Sequence, residues 1–261
     1  MEAMLQVPWG SSMVIKNIAL LVGCLALAAC APKENPRFKP QPPSSITYKD
    51  SFDTIKTAAD NGDVHAMQLM WRRFSYGGEE GSVTGQQAVA YLTKAAEMGH
   101  TGAQITLAKA YAQKSYRPTP DAQPVQIGAS YGLRQDDAQS LYWMQRMSCD
   151  GAGYYSSHYL AALYGGLKDS TITPAERALV EPNLILAHVH ASMTPIKMFG
   201  RRVSQEELEK RMSDEQIELA EDIAEQFLRA PVCPYVFENG KMIGLQLRPD
   251  TAEKYGKIQK N

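Results

Sequence analysis

The chain has 261 residues, 27 of them basic and 28 acidic, for a formal net charge of −1. With Lys16 and Glu2 set aside as leader residues, 26 basic residues face 27 acidic ones, and no basic patch or arm stands out, which argues against a nucleic-acid partner. No stretch after residue 30 is long and apolar enough to span a bilayer, and the roughly 210 residues after the tether suffice for one domain with a continuous core.

Met13-Val-Ile-Lys16 opens an apolar run, Ile18 to Ala29, that ends Leu27-Ala28-Ala29-Cys30. A basic start, a short apolar run and small residues before a cut site make a secretory signal over residues 1–29. Residues 1–12 read as an upstream mis-assigned start, with Met13 as the initiator. A Cys directly after Leu-Ala-Ala resembles the bacterial lipobox, in which the Cys becomes the lipidated first residue of the mature protein. Cys30 is therefore the expected lipidation site. Leu21-Val22-Gly23-Cys24 also fits, but leaves only seven apolar residues after Lys16. The alternative, a transmembrane anchor, falls short of the roughly 20 residues a spanning helix needs. Ala31 after the Cys resembles the outer-membrane signal of enteric-type bacteria. The expected location is a periplasm-facing membrane lipoprotein of the outer membrane, held by its acyl chains alone.

Residues 30–46 carry five prolines (32, 36, 40, 42 and 43) and read as an extended tether, at about 3.1 Å per residue a spacer on the order of 40–50 Å. Residues 47–230 read as a helical body. One phrase occurs in it twice: Ala58-Ala59-x-x-Gly62-Asp63-x-x-Ala66 recurs as Ala95-Ala96-x-x-Gly99-His100-x-x-Ala103, with the glycines 37 residues apart. A fixed period of this size means stacked supersecondary units. The phrase is a helix, a turn and a second helix: Ala pairs permit close approach, and Gly supplies a left-handed cap. Ala88, Tyr91, Leu92, Ala95 and Ala96, then Ala103, Leu107, Ala110 and Tyr111, recur at helical spacing. One such pair cannot bury its apolar face alone, so neighbours must stack.

These residues, with Gly77-Gly78, Gln87-Ala88, Tyr91 and Lys94, resemble the Sel-one-like repeat, a relative of the tetratricopeptide repeat. The resemblance implies an all-α, superhelical α/α fold. A degenerate third copy runs from Asp137 through Leu141-Tyr142-Trp143, Met147 and Gly151-Ala152 to Tyr159-Leu160-Ala161-x-x-Tyr164-Gly165. Its Met147-Ser148 replaces the Ala pair, so its helix crossing is expected to be looser. The polar, proline-bearing segment 113–135 interrupts the stack and lengthens the second spacing, Gly99 to Gly151, to 52. Insertions in such stacks go to loops on one face, often the binding face.

Thr173 caps a helix that has Pro174 at its first position, and Pro182 introduces another apolar helical run, NLILAHVHASM. Ser204-x-x-Glu207 and Ser213-x-x-Gln216 read as capping boxes. The second opens a helix with an apolar stripe of Ile217, Ala220, Ile223, Ala224 and Phe227. In residues 231–261, read as a hairpin and tail, Asn239-Gly240 between apolar runs signals a two-stranded turn. Such a ribbon is marginal alone and must lie on the helices or be completed by a partner strand.

Cys149 and Cys233 remain after the leader and lipid cysteines are assigned. In an oxidising compartment a single disulfide between them is expected, with two buried thiols as the alternative.

The patterns that suggest catalysis are thin. Gly128-x-Ser130-x-Gly132 matches the nucleophile-elbow pattern, with Pro124-Val-Gln-Ile127 a possible short strand, but the parallel sheet that makes an elbow is not signalled. His188-x-His190 has a metal-like look, yet positions i and i+2 of a helix face different ways and no partner ligand sits at the right spacing. No cofactor is expected. His100 occupies a consensus position of the repeat, where a capping hydrogen bond is its expected role. Trp71, Arg72 and Arg73, together with Tyr154 and Tyr155, are of the types that dominate binding hot spots, and equally of the types that fill the space between helices. Tyr116, Arg117 and Tyr131 in the insertion and Arg201 and Arg202 in a later loop complete the candidate partner-binding residues. The resemblance implies a non-enzymatic protein that binds a partner protein through its repeat surface. Sel-one-like lipoproteins include immunity proteins that neutralise phospholipase toxins of type VI secretion. Others are scaffolds for envelope assemblies such as polysaccharide export, pili or flagellar motors. Cysteine-rich relatives reported to act on β-lactams carry a Cys pair in each repeat, which this chain lacks.

Overall fold

The computed structural model describes residues 43–75, 84–113, 115–116, 125–126, 132–150, 154–169, 171–193, 205–229 and 233–259. The leader, Cys30 and most of the tether lie outside them. The described residues are mostly helical, with a small two-stranded antiparallel sheet near the C-terminus.

The first two helix pairs are built alike. Helix α1 (Phe52–Asp60) turns into α2 (Val64–Ser75), and α3 (Gly85–Glu97) turns into α4 (Thr101–Tyr111). At the first turn Gly62 has φ +96°, its N–H donates to Ala59 O (3.1 Å), and Asp63 N–H donates to Ala58 O (3.0 Å). At the second, Gly99 has φ +84°, its N–H donates to Ala96 O (2.9 Å), and His100 N–H donates to Ala95 O (2.9 Å). These bonds satisfy carbonyls that a helix end leaves without partners. The residue after each glycine caps the next helix. Asp63 Oδ1 accepts from Ala66 N–H at 2.9 Å, and His100 Nδ1 accepts from Ala103 N–H at 3.2 Å. His100 thus has the expected capping role. Ala59, Ala66, Ala95, Ala96 and Ala103 are all fully buried where the helices meet. α3 begins with a full capping box between Thr84 and Gln87.

The pairs are tied as well as stacked. Tyr91 of α3 donates its hydroxyl proton to Asp60 at the end of α1. Gln104 of α4 donates to both Ala96 O (3.0 Å) and Asp150 Oδ2 (2.5 Å), joining the second pair to the end of α5 (Asp137–Cys149). α5 is capped by Asp136, packs along α4 and is followed by α6 (Tyr154–Gly165). α5 also packs against α6. The turn itself, residues 151–153, lies outside the described residues.

The insertion is closed at its base. Asp136 N–H donates to Tyr111 O (3.0 Å), and Gln113 Nε2 donates to Leu133 O (3.0 Å). Within it β1 (Ser115–Tyr116) and β2 (Val125–Gln126) pair antiparallel.

From Tyr159 to Tyr164 every residue of α6 is buried, the mark of a helix covered on all sides. A four-residue helix, α7 (Pro174–Arg177), opens with a Thr173–Glu176 capping box; α8 (Leu184–Ser192) is capped by Asn183 and packs against α6. A short α9 (Gln205–Glu209) leads to α10 (Asp214–Arg229), which opens on the expected reciprocal bonds between Ser213 and Gln216. Its buried stripe contains Leu219, with Ile217 only half-buried. Then come β3 (Tyr235–Glu238) and β4 (Lys241–Leu245), joined at Asn239 (φ +49°) and Gly240 (φ +73°) and bulged after Val236. The ribbon lies on α5. The expected tail is in fact a helix, α11 (Pro249–Ile258), with Pro at its first position. It docks on α10, where Thr251 bridges Gln226 and Asp222.

Two apolar cores result. The larger runs from Ile55 through α2–α6 to Leu208. The smaller gathers Ile185, Val189, Leu219, Ile223 and Phe227 around Cys149, Cys233 and Tyr235.

Candidate functional site

The expected partner-binding residues divide by surroundings. Trp71 is half-buried and packs on the larger core, so it fills space between helices. Arg72 on the next helical position is exposed. Arg73 is occupied: its guanidinium donates to Tyr48 O (2.8 Å) and Asp50 O (2.5 Å), pinning the segment before α1 onto α2. Tyr155 is half-buried on the larger core with Lys109 Nζ 5.0 Å above its ring, and burial pushes its hydroxyl pKa up. Arg117, Tyr131, Arg201, Arg202 and the side chains of Tyr116 and Tyr154 lie outside what is described.

Ser130 also lies outside the described residues, but its flanks bear on the elbow pattern. The strand before it, β2, is two residues long and pairs antiparallel with β1. An elbow needs a strand of a parallel sheet running into a helix.

The two histidines of α8 point to different partners, as their spacing requires. His188 is fully buried; its Nε2 lies 3.1 Å from Glu209 Oε1 and its Nδ1 3.3 Å from Ser192 Oγ. An Nε2–H tautomer donating to Glu209 leaves Nδ1 with a lone pair toward Ser192 Oγ. Gln205 Nε2, at 3.3 Å from His188 Nε2, then has no lone pair to meet there. On paper this is a Ser–His–acid series. The serine's proton, however, goes to His188 O at 2.9 Å, a helical back-bond. Ser192 also ends α8, where the helix dipole opposes a developing oxyanion. The group therefore locks α9 onto α8.

His190 belongs to a buried polar seam between the two cores. Its Nε2 lies 2.5 Å from Tyr235 Oη, Tyr235 bonds Tyr164, and Tyr164 Oη accepts from Gln145 Nε2 at 2.8 Å. One proton assignment satisfies the series: His190 Nε2–H to Tyr235, Tyr235 O–H to Tyr164, and Tyr164 O–H to the Met242 sulfur at 3.9 Å. The rings stack as well, Tyr164 on His190 with centroids 5.9 Å apart and Phe227 edge-on to Tyr235 at 5.0 Å. Burial pushes His190 down to about 3 and raises both tyrosines, so all three are neutral near pH 7. The seam thus clamps α6, α8 and β3 together without charge. Sequence reasoning gives no hint of it, because Gln145, Tyr164, His190 and Tyr235 share no local pattern.

No family model matches the chain, and neither does any curated protein.

Beside the smaller core, Cys149 and Cys233 stand at disulfide distance, their Cα atoms 5.2 Å apart. Cys233 lines a cleft of about 420 Å³ between the end of α10 and the chain leaving β4. Large apolar side chains are exposed nearby in the chain: Leu228 on α10 is 60% accessible and Ile243 on β4 61%. Among the described residues no group of three His, Cys, Asp or Glu side chains is placed to hold a metal, and no helix is long and apolar enough to cross a membrane.

Proposed function

We propose that this chain is a lipid-anchored, Sel-one-like repeat protein that binds a partner protein, and that its partner is a phospholipase toxin delivered by type VI secretion, which it neutralises. The observation that carries the reading is the equivalence of the turns at Gly62 and Gly99, with the same left-handed glycine, the same backbone bonds and the same capping position. Structure repeated at this level is spent on building surface, and curved stacks of helix pairs present extended binding faces. Arg72, the insertion and the exposed Ile243 offer contact groups of different chemistry on that scaffold. A bond between Cys149 and Cys233 suits the oxidising space that the leader implies.

A scaffold for an envelope assembly uses the same surface, and one experiment separates the two. Tagged residues 31–261 are used to capture partners from periplasmic extract, which are identified by mass spectrometry. One stoichiometric phospholipase, inhibited on mixing, supports the immunity reading. Several envelope-assembly components overturn it in favour of a scaffold. Hydrolysis of a chromogenic β-lactam or nitrophenyl ester, lost in Ser130→Ala, overturns both.

A further inference from the structure

We propose that His100 is a proton-operated clasp: neutral, its imidazole holds the first turn of α4 in the stack; protonated, it repels that turn, so that acid loosens the second helix pair and spares the first. The device belongs to the scaffold and does not depend on which partner the protein binds.

The two repeated turns differ in the residue that caps the following helix. In the first, Asp63 Oδ1 accepts from Ala66 N–H at 2.9 Å; in the second, His100 Nδ1 accepts from Ala103 N–H at 3.2 Å. Nδ1 accepts only while it keeps its lone pair, which requires a neutral ring with its proton on Nε2. An ordinary carboxylate is still an acceptor at pH 5, whereas an imidazole begins to lose its acceptor nitrogen below about pH 6.5. Ala103 N–H also reaches His100 O at 2.9 Å, so protonation does not leave it without an acceptor. Protonation instead sets a second N–H donor 3.2 Å from the first and places a full charge at the positive end of the α4 dipole.

The surroundings give that charge no relief. A Cβ built on Gly102 would stand 3.1 Å from the His100 Cε1 and 2.6 Å from Gln68 Nε2, so the ring is closed in on that side. On α2, the His65 ring stands with its centroid 6.4 Å away, a second imidazole whose charge opposes one on His100. The other neighbouring helix ends carry Lys94 and Glu97 on α3 and the Arg146–Asp150 pair on α5, and none of these four acts on the ring. Burial first and His65 second hold the His100 pKa below the usual histidine value, outweighing a backbone hydrogen bond that raises it.

The next residue passes the effect on. Gln104 is fully buried and donates to Ala96 O at 3.0 Å and Asp150 Oδ2 at 2.5 Å, tying the second pair to the end of α5. Lifting the first turn of α4 therefore slackens the joint between the second pair and α5.

The test follows backbone amide exchange by NMR in residues 31–261, which contain every described element. Between pH 7.5 and 5 the protection of Ala103 N–H, corrected for the intrinsic pH dependence of exchange, should fall about threefold or more, while that of Ala66 N–H stays nearly constant. Ring nitrogen shifts of His100 should show the Nε2–H tautomer at pH 7.5 and a titration below about pH 6.5. His100→Asp should keep Ala103 protection constant across the range. His65→Gln, which removes the opposing charge, should move the fall to higher pH. Constant Ala103 protection in the wild type, the same fall in His100→Asp, equal falls at Ala66 and Ala103, or an Nδ1–H tautomer at pH 7.5 would each overturn the proposal.

Discussion

His190 shows how a single buried side chain sets a condition on the whole chain. Desolvation holds it down to about 3 in the folded protein, against about 6.5 for an exposed imidazole. Below pH 6.5 the unfolded chain takes up a proton there and the folded chain does not. The stability tied to neutral His190 is therefore complete above about pH 6.5 and is lost as pH falls toward 3, at about 1.4 kcal/mol per pH unit. Urea unfolding at pH 6, 5 and 4 should show that slope, and His190→Gln should flatten it; an unchanged slope in the variant means the loss arises elsewhere. Gly62 is a second case at this scale. Its φ of +96° is left-handed, and a Cβ added there meets nothing within 4 Å. The cost of Gly62→Ala is then backbone strain alone, about 1 kcal/mol. It should appear as a lower urea midpoint with an unchanged m-value.

At the level of elements, Asn183 joins three helices. Its backbone N–H donates to Tyr164 O at the end of α6 (2.8 Å), its Oδ1 caps α8 by accepting from Leu186 N–H (3.0 Å), and its Nδ2 donates to Tyr255 Oη on α11 (2.9 Å). Asn183→Ala removes the cap and the α11 bond and should cost about 2 kcal/mol, while Asn183→Ser, which can cap but is too short to reach Tyr255, should cost about half as much. Thermal melts of the two variants decide the matter, and equal losses would mean that the cap contributes nothing. The same elements show what a sequence reveals. The turns at Gly62 and Gly99 are legible because cap, glycine and Ala pair lie within nine residues of one another. The Asn239-Gly240 hairpin is legible for the same reason. α11 is not, because Tyr255 and Ile258 are too few to make a stripe and its docking partners, Asn183, Asp222 and Gln226, lie in distant elements. The cysteine pair follows from counting; the cleft beside Cys233 does not, because Arg229, Cys233 and Arg248 meet only once the hairpin folds back.

Across the molecule, the pair of cysteines links α5 to the approach of β3 over 84 residues of sequence. Bonded, it removes loop entropy from the unfolded chain worth roughly 4 kcal/mol. Reductant should lower the melting temperature accordingly, and the double variant Cys149→Ala/Cys233→Ala should melt with the reduced wild type regardless of reductant. A different kind of long-range order appears at the base of the insertion, where Asp136 is bonded to Tyr111 and Gln113 to Leu133. Those two bonds fasten both rims of the segment to the ends of α4 and α5, so the helices meet a closed neck whatever hangs from it. The register of α5 on α4 is thereby set by two short clasps and not by the length of chain between them.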